Sequence, residues 1–436
     1  MNLLRGKLVP LSCLVLVCMV FSGCWDAEDP ERTAHVVAIG VDRGNTRALW
    51  VTFQIMVPSM LAGGAGAGAA GGGGGGGGSA DAPRVWVRGV ETEGVSEAFH
   101  LLCEYLPRTP ALSHLQAVVT SEQVARDMGV ASLWDFLTRD VQARRAAQFI
   151  VTPGRAEEVL RFQPRLADIP GAGLVALLEL AADTGATIAT PAGRFGVALH
   201  AEGMQPVAAM VEIVPPEAQA LPGGQSGSTD RAGGQADGRT TAAPGTVPPT
   251  PEVRAAGLAV FRGDRMVGAL PQNESLAVSL MLRRARRPLI RATAPDSGAL
   301  ITARVLSCRP EIKLMTEGGQ LRGQMRLRVS AELREELTPA YFIEPARLKQ
   351  LERALAAALT QDLASALRRT QEMGADVFGF GWWLYRKRPQ QWFAVREHWD
   401  KIYGHLPVDV QVEVKLRSEG LTIKSPLFPG TPGGDR

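Results

Sequence analysis

The chain offers few residues whose types and spacing could do chemistry. Ser113 and His114 place a hydroxyl beside an imidazole, the groups that a nucleophilic hydrolase would use. Neighbouring side chains in a strand point to opposite faces, and the Gly-x-Ser-x-Gly turn that would expose such a serine is missing. We therefore expect a capping or core role for both residues and regard a hydrolase as the weakest hypothesis.

The acidic residues and the possible metal ligands also form no recognisable catalytic or metal-binding motif. Asp376 and Asp400 could be imagined as an acid and base pair, but nothing in the sequence fixes their separation, and solvated or capping roles are favoured. The six histidines are scattered, with no His-Glu-x-x-His motif and no paired cysteine ligands. The sequence predicts no catalytic residues, no metal site and no cofactor, and hence no enzyme.

A glycine motif at residues 66–71 formally matches a dinucleotide-binding fingerprint, with Glu91 twenty residues beyond it. That mechanism needs a helix to begin directly after the glycines, because its N-terminus holds the pyrophosphate. Here an unbroken glycine run continues to Gly78 instead. We interpret the match as accidental.

The clearest chemical signal is at the N-terminus. Two basic residues precede an apolar run at residues 8–22, which is shorter than the roughly 20 residues that span a bilayer. The run ends in Ser22-Gly23-Cys24, small residues followed by a thiol, which is the pattern of a bacterial lipobox. We predict that residues 1–23 are a cleaved signal peptide and that Cys24 is lipidated. A free Cys24 after ordinary secretion, or an uncleaved anchor, remain as alternatives.

Lipidation at Cys24 would determine where the protein is located. One buried acyl chain holds a protein to a bilayer only marginally, whereas two chains hold it stably. A cysteine carrying palmitate or similar chains would thus hold the mature chain on the extracytoplasmic face of a membrane. Cys103 and Cys308 are the other cysteines of the mature chain. We favour two buried thiols, and one disulfide between them stays open.

The charge balance argues against nucleic acid as a partner. Without residues 1–23, the chain has 45 Lys and Arg against 44 Asp and Glu, so no basic excess neutralises phosphates. One dense basic cluster exists, consisting of Arg283, Arg284, Arg286 and Arg287. We interpret it as a solvated face, with contact to anionic lipid headgroups as the minor alternative.

Two low-complexity stretches organise the chain. Residues 58–83 are rich in glycine and are interpreted as a flexible loop inside an N-terminal mixed α/β region, residues 24–216. Residues 217–251 are rich in Gly, Pro, Ser and Thr and are interpreted as a linker that marks a domain boundary. The remaining patterned region, residues 252–425, is predicted to be a C-terminal α+β domain.

Periodicity predicts the elements of the N-terminal region. Apolar residues alternate with more polar ones over residues 49–57, which favours a half-buried strand after a first strand at residues 35–41. Further strands are predicted at residues 115–119 and 147–151. Serines are predicted to begin three helices among them. These serines are Ser96, Ser121 and Ser132.

The C-terminal region is predicted to form an antiparallel sheet covered by a long helix. Residues 321–333 and 408–416 alternate as strands, and leucines at spacings of three and four over residues 348–367 form one helical face. A second helix is predicted from Pro389 to Gly404, where glycine ends it. Its Trp392 and Trp399 are assigned to the core. The fold class is therefore α+β, multi-domain and mixed.

Several segments of the sequence carry a family resemblance when they are taken together. The segments are Gly23-Cys24-Trp25-Asp26, VVAIGVD at residues 36–42, Ser113-His114, FLTRDVQAR at residues 136–144, GLAVFRGDRMVGALPQNES at residues 257–275, and residues 374–420. In their sequence and in their order over nearly the whole mature chain, they resemble one family, the Ger(x)C lipoproteins. The glycine-rich loop, residues 217–251 and the irregular AEDPER segment at residues 27–32 depart from the family pattern.

The resemblance implies a function. Ger(x)C proteins are the C subunits of nutrient germinant receptors in endospore-forming bacteria, so we expect a noncatalytic subunit with three mixed α/β domains. Its partners would be two integral membrane subunits, of A-type and B-type, on the outer surface of the spore inner membrane. The alternative is a solute-binding lipoprotein of a transporter, which would need two similar lobes around a cleft.

An aromatic segment is the candidate partner interface. Phe378, Phe380, Trp382 and Trp383 combine large side chains of the kind that dominate binding hot spots. Core packing is the competing interpretation. If Trp382 and Trp383 lie on a strand, both cannot point inward, so we expect one of the two to be exposed.

Overall fold

The computed structural model describes residues 32–57, 85–164, 167, 169–215, 251–336 and 345–418. Within these ranges, no helix combines the length and apolarity needed to cross a bilayer. The predictions for the signal peptide, Cys24 and the glycine-rich stretch lie outside the described residues. The chain forms two sheets with helices packed on them, which confirms the predicted mixed α+β class.

Within the described residues, the first sheet has nine strands around a parallel centre. Its order is β3-β2-β1-β5-β6-β7-β8-β9, with β4 pairing beside the start of β1. Strands β1, β5, β6 and β7 are parallel neighbours, whereas the pairs at both edges are antiparallel. The strands are β1 Thr33–Arg43, β2 Leu49–Met56, β3 Val85–Thr92, β4 Thr109–Ala111, β5 Ala117–Ser121, β6 Gln148–Thr152, β7 Val207–Val214, β8 Glu252–Arg262 and β9 Arg265–Leu270.

Helices cover both faces of this sheet, so two separate apolar cores form on its two sides. The helices are α1 Val95–Leu102, α2 Glu122–Asp127, α3 Ala131–Arg139, α4 Ala156–Arg161, α5 Pro170–Thr184 and α6 Ala192–Leu199. Ser121 caps α2 as predicted, accepting a hydrogen bond from the Val124 amide at 3.5 Å. Helices α1 and α3 begin at Val95 and Ala131, one residue before the predicted serines.

Strand β2 is buried on both faces, so the prediction of a half-buried strand is wrong. Thr52 and Gln54 are fully buried although their types suggested solvent. The Gln54 amide nitrogen donates to the Leu160 carbonyl at 2.7 Å, and its oxygen accepts from the Gly171 amide at 2.9 Å. Because these bonds replace water, a polar residue can occupy the interior.

Residues 217–251 connect neighbouring strands of the first sheet. Strands β7 and β8 pair antiparallel from Val207 opposite Val260 to Val214 opposite Glu252. Strands β8 and β9 belong to the predicted C-terminal domain but extend the N-terminal sheet. A domain boundary at this stretch would therefore divide a continuous hydrogen-bonded sheet.

The second sheet has the order β10-β11-β12-β13. Its strands are β10 Leu289–Thr293, β11 Leu300–Glu317, β12 Gln320–Glu336 and β13 Val408–Ser418, and α7 Gln272–Met281 precedes them. Strands β10 to β12 are antiparallel, as predicted, whereas β13 runs parallel to β12, which the sequence did not indicate. A parallel partner needs a long crossover, which the helices between β12 and β13 provide.

The long helix predicted from its leucine spacing is α8, Pro345–Glu372. Its buried leucines include Leu351, Leu355 and Leu363, and they share one core with Met325 and Leu327 of β12. Helix α8 therefore covers one face of the second sheet, as predicted.

The segment after α8 differs from its prediction in two ways. Trp382 and Trp383 lie on a helix, α9 Phe380–Lys387, and not on a strand. The single helix predicted from Pro389 is interrupted. It divides into α10 Pro389–Val395, a 3₁₀ turn Arg396–His398, and α11 Trp399–Gly404.

Candidate functional site

Asp376 organises the segment that joins α8 to α9. Its Oδ1 accepts hydrogen bonds from the amides of Gly379 at 2.8 Å and Phe380 at 3.1 Å, and its Oδ2 accepts one from Gly381 at 2.7 Å. Oδ2 also accepts from the Trp399 indole nitrogen at 3.1 Å. The amides in the first turn of a helix have no hydrogen-bond acceptors within the helix. The Asp376 carboxylate accepts from these amides and so caps the N-terminal end of α9. Of the solvated and capping roles expected for Asp376, the structure supports capping, since the residue is buried.

The buried position of Asp376 changes its acidity. Only 1% of the residue is exposed. Burial raises the pKa of Asp376 to about 6, against the opposing effect of its N–H donors. Burial also raises the pKa of Tyr403, and the charge of Asp376 adds to that increase. The Tyr403 hydroxyl lies 2.8 Å from the Thr370 hydroxyl, so its polar atom is satisfied.

Two glycines bring the first sheet's connecting loop against α9. The Trp382 amide donates to the Gly203 carbonyl at 2.8 Å, in the loop between α6 and β7. A Cβ on Gly203 would lie 2.3 Å from the Gly381 carbonyl carbon, and one on Gly381 would lie 2.7 Å from the Gly203 oxygen. Gly203 also has a φ of +69°, which favours glycine. We call this contact the glycine junction.

Two tryptophans extend the same contact. The rings of Trp392 and Trp399 lie 5.6 Å apart in an edge-to-face arrangement, and both are buried, as predicted. The Trp392 indole donates to the Glu202 carboxylate at 2.9 Å. The Gln205 amide donates to the Asp376 carbonyl at 2.9 Å. The loop of the first sheet is therefore held by main-chain and side-chain bonds from the C-terminal segment.

An aromatic patch lies on the outside of this junction, formed by Trp382, Tyr385 and Phe393. Trp382 is 39% exposed and Phe393 is 55% exposed. The Tyr385 ring lies 5.7 Å from Trp382 and 6.4 Å from Phe393, so the rings form one contiguous surface. Exposed contiguous apolar surface of this kind marks interaction sites.

Arginines accompany the exposed rings. The guanidinium of Arg386 lies 5.8 Å from the Trp382 ring centre, and that of Arg396 lies 5.3 Å from the Phe393 ring centre. Arg388 lies 6.0 Å from the ring of half-buried Trp383. Aromatic residues and arginine are the types enriched at binding hot spots.

The four predicted interface residues occupy different environments. Phe378 and Phe380 are buried in the apolar core, with exposures of 4% and 0%. They therefore support the surface from beneath. Trp382 is exposed and Trp383 is half-buried. Tyr385, which the sequence placed near this segment, joins the surface three residues after Trp382 on α9. The structure adds Phe393, which lies on α10 and which no local spacing indicated.

A polar cavity of about 620 Å³ lies beside the junction, with Asp376, Asp400, Trp392 and Arg262 among its lining residues. Asp376 is committed to four N–H donors, so its geometry suits capping rather than acid–base chemistry. Among the described residues, no group of three or more His, Cys, Asp or Glu could hold a metal ion.

The other candidate residues lie elsewhere. Ser113 and His114 sit in an exposed turn after β4, so the expected capping or core role is wrong for this pair. The His114 ring packs edge-on against His35 of β1 at 4.5 Å, a contact that the sequence did not indicate. Burial lowers the pKa of His35, and the proximity of His114 lowers it further.

The remaining cysteines and the arginine cluster have clear environments. Cys103 and Cys308 are both free thiols. The expectation of two buried thiols is wrong for Cys103, which is exposed, whereas Cys308 is half-buried and burial raises its pKa. All four arginines between residues 283 and 287 are exposed, as expected for a solvated face.

Two family models match the chain over most of its length. The model described as the spore germination protein N-terminal domain matches residues 26–213, and the one described as spore germination B3/GerAC like, C-terminal, matches residues 256–420. The chain belongs to the GerAC-like spore germination family. The glycine junction joins the two matched regions of this family member, since Gly203 lies in the first and Gly381 in the second.

Individual relatives of this GerAC-like chain agree. Spore germination protein KC of Bacillus subtilis is 26% identical over 420 residues, covering 94% of this chain and 96% of that protein. Putative spore germination protein YfkR of the same organism is 24% identical over 411 residues, with the same coverage. The crystal structure of the GerBC protein shares the fold, with a TM-score of 0.51 at 15% identity over 87% of this chain and 96% of that one.

Proposed function

We propose that the chain is a noncatalytic, lipid-anchored subunit of a spore nutrient germinant receptor. The observation that carries the proposal is the match to spore germination proteins along 94% of the chain. The two family models add support because they match in the expected order. In this role the chain binds partner proteins and holds them in place, and it performs no reaction.

The proposal includes a location and partners. Lipidated Cys24 holds the chain on the outer surface of the spore inner membrane, beside two integral membrane subunits of A-type and B-type. The lipobox pattern at Ser22-Gly23-Cys24 supports the anchor. The aromatic patch supports a protein contact, because its exposed rings and arginines match the composition of interface hot spots.

The solute-binding alternative requires two similar lobes around a cleft. The two sheets of the described residues differ in strand number and order, nine strands around a parallel centre against four mostly antiparallel strands. This difference favours the receptor subunit. Calorimetry with amino acids and sugars on the unlipidated chain would reveal a solute site, and a micromolar affinity would favour the alternative.

The test of the proposed function is genetic and biochemical. Deletion of the gene is expected to abolish the response of spores to at least one nutrient germinant. The protein, solubilised from spore membranes, is expected to copurify with two multi-spanning proteins. Normal germination after deletion, together with purification free of membrane proteins, would contradict the proposal.

The aromatic patch can be tested with a matched pair of tryptophans. Trp382 and Trp86 have nearly equal exposures of 39% and 38%, but Trp86 lies on β3, away from the patch. We expect Trp382→Ala to weaken copurification of the membrane subunits at least about tenfold, since hot-spot truncations cost about 2 kcal/mol or more. Trp86→Ala is expected to copurify normally. Equal behaviour of the two variants would remove the patch from the interface.

A further inference from the structure

A basic cluster occupies the face of the second sheet that points away from α8. It consists of Arg309 on β11, Arg328 on β12, and Lys415 and Arg417 on β13, around a shallow cavity of about 330 Å³. All four side chains are exposed. The chain as a whole is nearly neutral, so this concentration of positive charge is local.

The sheet register places like charges against each other. Arg309 and Arg328 are direct partners across β11 and β12. Like charges directly opposite in a sheet are destabilising. One carboxylate, Glu413, is shared by the cluster, at 3.8 Å from the Arg328 guanidinium and 3.7 Å from the Lys415 ammonium. The arrangement therefore leaves unbalanced positive charge that a bound anion would offset.

Hydroxyl groups complete a set of donors. Ser307 and Ser330 are partners across the same strands and both line the cavity. The Arg417 guanidinium donates to the Ser330 hydroxyl at 3.1 Å. Guanidinium, ammonium and hydroxyl groups on one surface are the donors that bind phosphate oxygens, with arginine able to bind in bidentate fashion.

The pKa of Glu311, a carboxylate beside the cluster, is lowered by the positive charges around it. A hydrogen bond from Lys313 lowers the pKa of Glu311, and the charges of Arg326 and Arg328 lower it further. Glu311 is the direct partner of Arg326 across the strands. The positive field thus extends along the sheet beyond the four residues of the cluster.

Exposed aliphatic side chains share this face. Leu289 is 40% exposed and pairs with Arg304, and Met315 is 38% exposed and pairs with Arg322. Leu306, in the bulge next to Ser307, is 51% exposed. Basic and aliphatic side chains side by side are typical of surfaces that lie at the lipid headgroups, where charge attracts and apolar groups insert.

We propose that the basic cluster binds the phosphate groups of anionic phospholipids, so that the open face of the second sheet lies against a membrane. A free phosphate would use the charges and hydroxyls but not the flanking aliphatic residues. An acidic peptide would need no phosphate geometry. Basic, hydroxyl and aliphatic side chains together on a broad, open face fit a bilayer surface better than they fit a free phosphate or an acidic peptide. The proposal does not depend on lipidation at Cys24.

The test uses the chain from residue 24 onward carrying Cys24→Ala, which has no acyl group. Sedimentation is measured with vesicles of phosphatidylcholine alone or mixed equally with phosphatidylglycerol. We expect binding to the mixed vesicles only, weakened by added salt because exposed charges are screened. Absence of binding to the mixed vesicles, or equal binding to both kinds, would overturn the proposal.

Variants identify the residues responsible. The triple variant Arg309→Glu, Arg328→Glu, Lys415→Glu is expected to lose at least about tenfold in vesicle affinity, given that each basic residue contributes at a membrane surface. The matched control reverses three exposed arginines of the first sheet and its loops, Arg43→Glu, Arg108→Glu and Arg144→Glu. It makes the same change in net charge and is expected to bind within about twofold of the parent chain.

Two further measurements test whether loss of binding comes from misfolding and whether the cluster binds other anions. The triple variant Arg309→Gln, Arg328→Gln, Lys415→Gln removes the charges with less risk to folding. It is expected to melt like the parent chain and to bind the mixed vesicles more weakly. Equal losses in the cluster variants and the control would overturn the proposal, because net charge alone would then explain binding. Binding of inorganic phosphate, or of a poly-glutamate peptide, in place of vesicles would assign the cluster to a free anion or an acidic protein and would equally overturn it.

Discussion

At the scale of single residues, Asp376 holds the most consequential position in the described chain. A buried carboxylate is costly unless its oxygens are hydrogen-bonded, and here three main-chain amides and one indole supply four bonds. Those bonds determine where α9 begins and where Trp399 sits. Since Trp382 belongs to α9, the exposed ring of the aromatic patch depends on a carboxylate that solvent barely reaches.

Asp376→Asn should destabilise the fold. The amide keeps one oxygen acceptor but turns its NH₂ group toward N–H donors, so at least one buried bond is lost. We expect a decrease of about 2 kcal/mol in the free energy of unfolding, the usual scale for hydrogen bonds to charged groups. Asp400→Asn, a similar change at the same cavity, is the control and should have little effect. Denaturant unfolding of both variants measures the difference.

The same residue makes stability depend on pH. Its pKa is raised from 3.8 to about 6 in the folded chain, so between these values the folded state binds more protons than the unfolded state. The contribution of Asp376 to stability is therefore complete below its ordinary pKa and is lost as pH rises through about 6. We expect the gap in the free energy of unfolding between the parent and Asp376→Asn to narrow from about pH 4 to pH 6 and to change little above that range. A gap that widens with pH would show a lowered pKa instead.

At the scale of elements, the contact between α9 and the α6–β7 loop depends on two residues without side chains. The Gly203 carbonyl accepts from the Trp382 amide, and the Gly381 main chain approaches too closely for a Cβ on either glycine. Main-chain bonds across such a contact transmit the position of the first sheet to the aromatic patch. Helix α9 is therefore positioned by both halves of the chain.

Gly203→Ala should lower the free energy of unfolding by more than the positive φ of Gly203 alone would cause, because the added Cβ would also clash with the Gly381 main chain. Gly263 provides the control, because its φ of +59° is similar but an added Cβ there would have no atom within 4 Å. We expect Gly263→Ala to cost about 1 kcal/mol, the usual cost of a left-handed residue with a side chain. Gly203→Ala adds a backbone clash and should cost at least about 2 kcal/mol more. Equal melting temperatures for the two variants would refute the close contact.

At the scale of the whole molecule, a third apolar core among the described residues joins the two sheets, beside the two cores on the faces of the first sheet. Leu258 and Val260 of β8 and Leu270 of β9 contact the same cluster as Met325 and Leu327 of the second sheet. Strands β8 and β9 are thus hydrogen-bonded within the first sheet, while some of their buried side chains pack in the same core as side chains of the second sheet. Because the two sheets share this core, we expect them to unfold together, which coincident unfolding transitions followed by different probes would show.

The whole-molecule prediction for function concerns the anchor. Cys24→Ala should yield a folded protein that high salt releases from the membrane, because the chain then lacks its acyl groups and keeps only contacts that salt weakens. Spores carrying this variant are expected to fail in nutrient germination despite normal amounts of protein. Membrane fractionation and germination assays measure the two effects. Normal germination with released protein would show that the anchor is dispensable.

The sequence by itself determined the elements whose patterns are local. The leucine spacing of residues 348–367 predicted α8, and Ser121 predicted the start of α2, because helical periodicity and capping involve neighbours along the chain. The family resemblance was likewise carried by contiguous segments. The lipobox prediction at Cys24 has the same local origin and stays a prediction.

Only the tertiary structure decided the features that depend on distant partners. Gln54 is interior because Leu160 and Gly171 supply its hydrogen bonds, which no local pattern can reveal. The segment at Trp382 is helical because Asp376 caps it, and its exposed face is fixed by contact with Gly203. Whether a side chain is buried depends on which layers pack around it. Packing therefore decided that Phe378 and Phe380 lie in the core and Trp382 on the surface, and residue type alone could not have decided this.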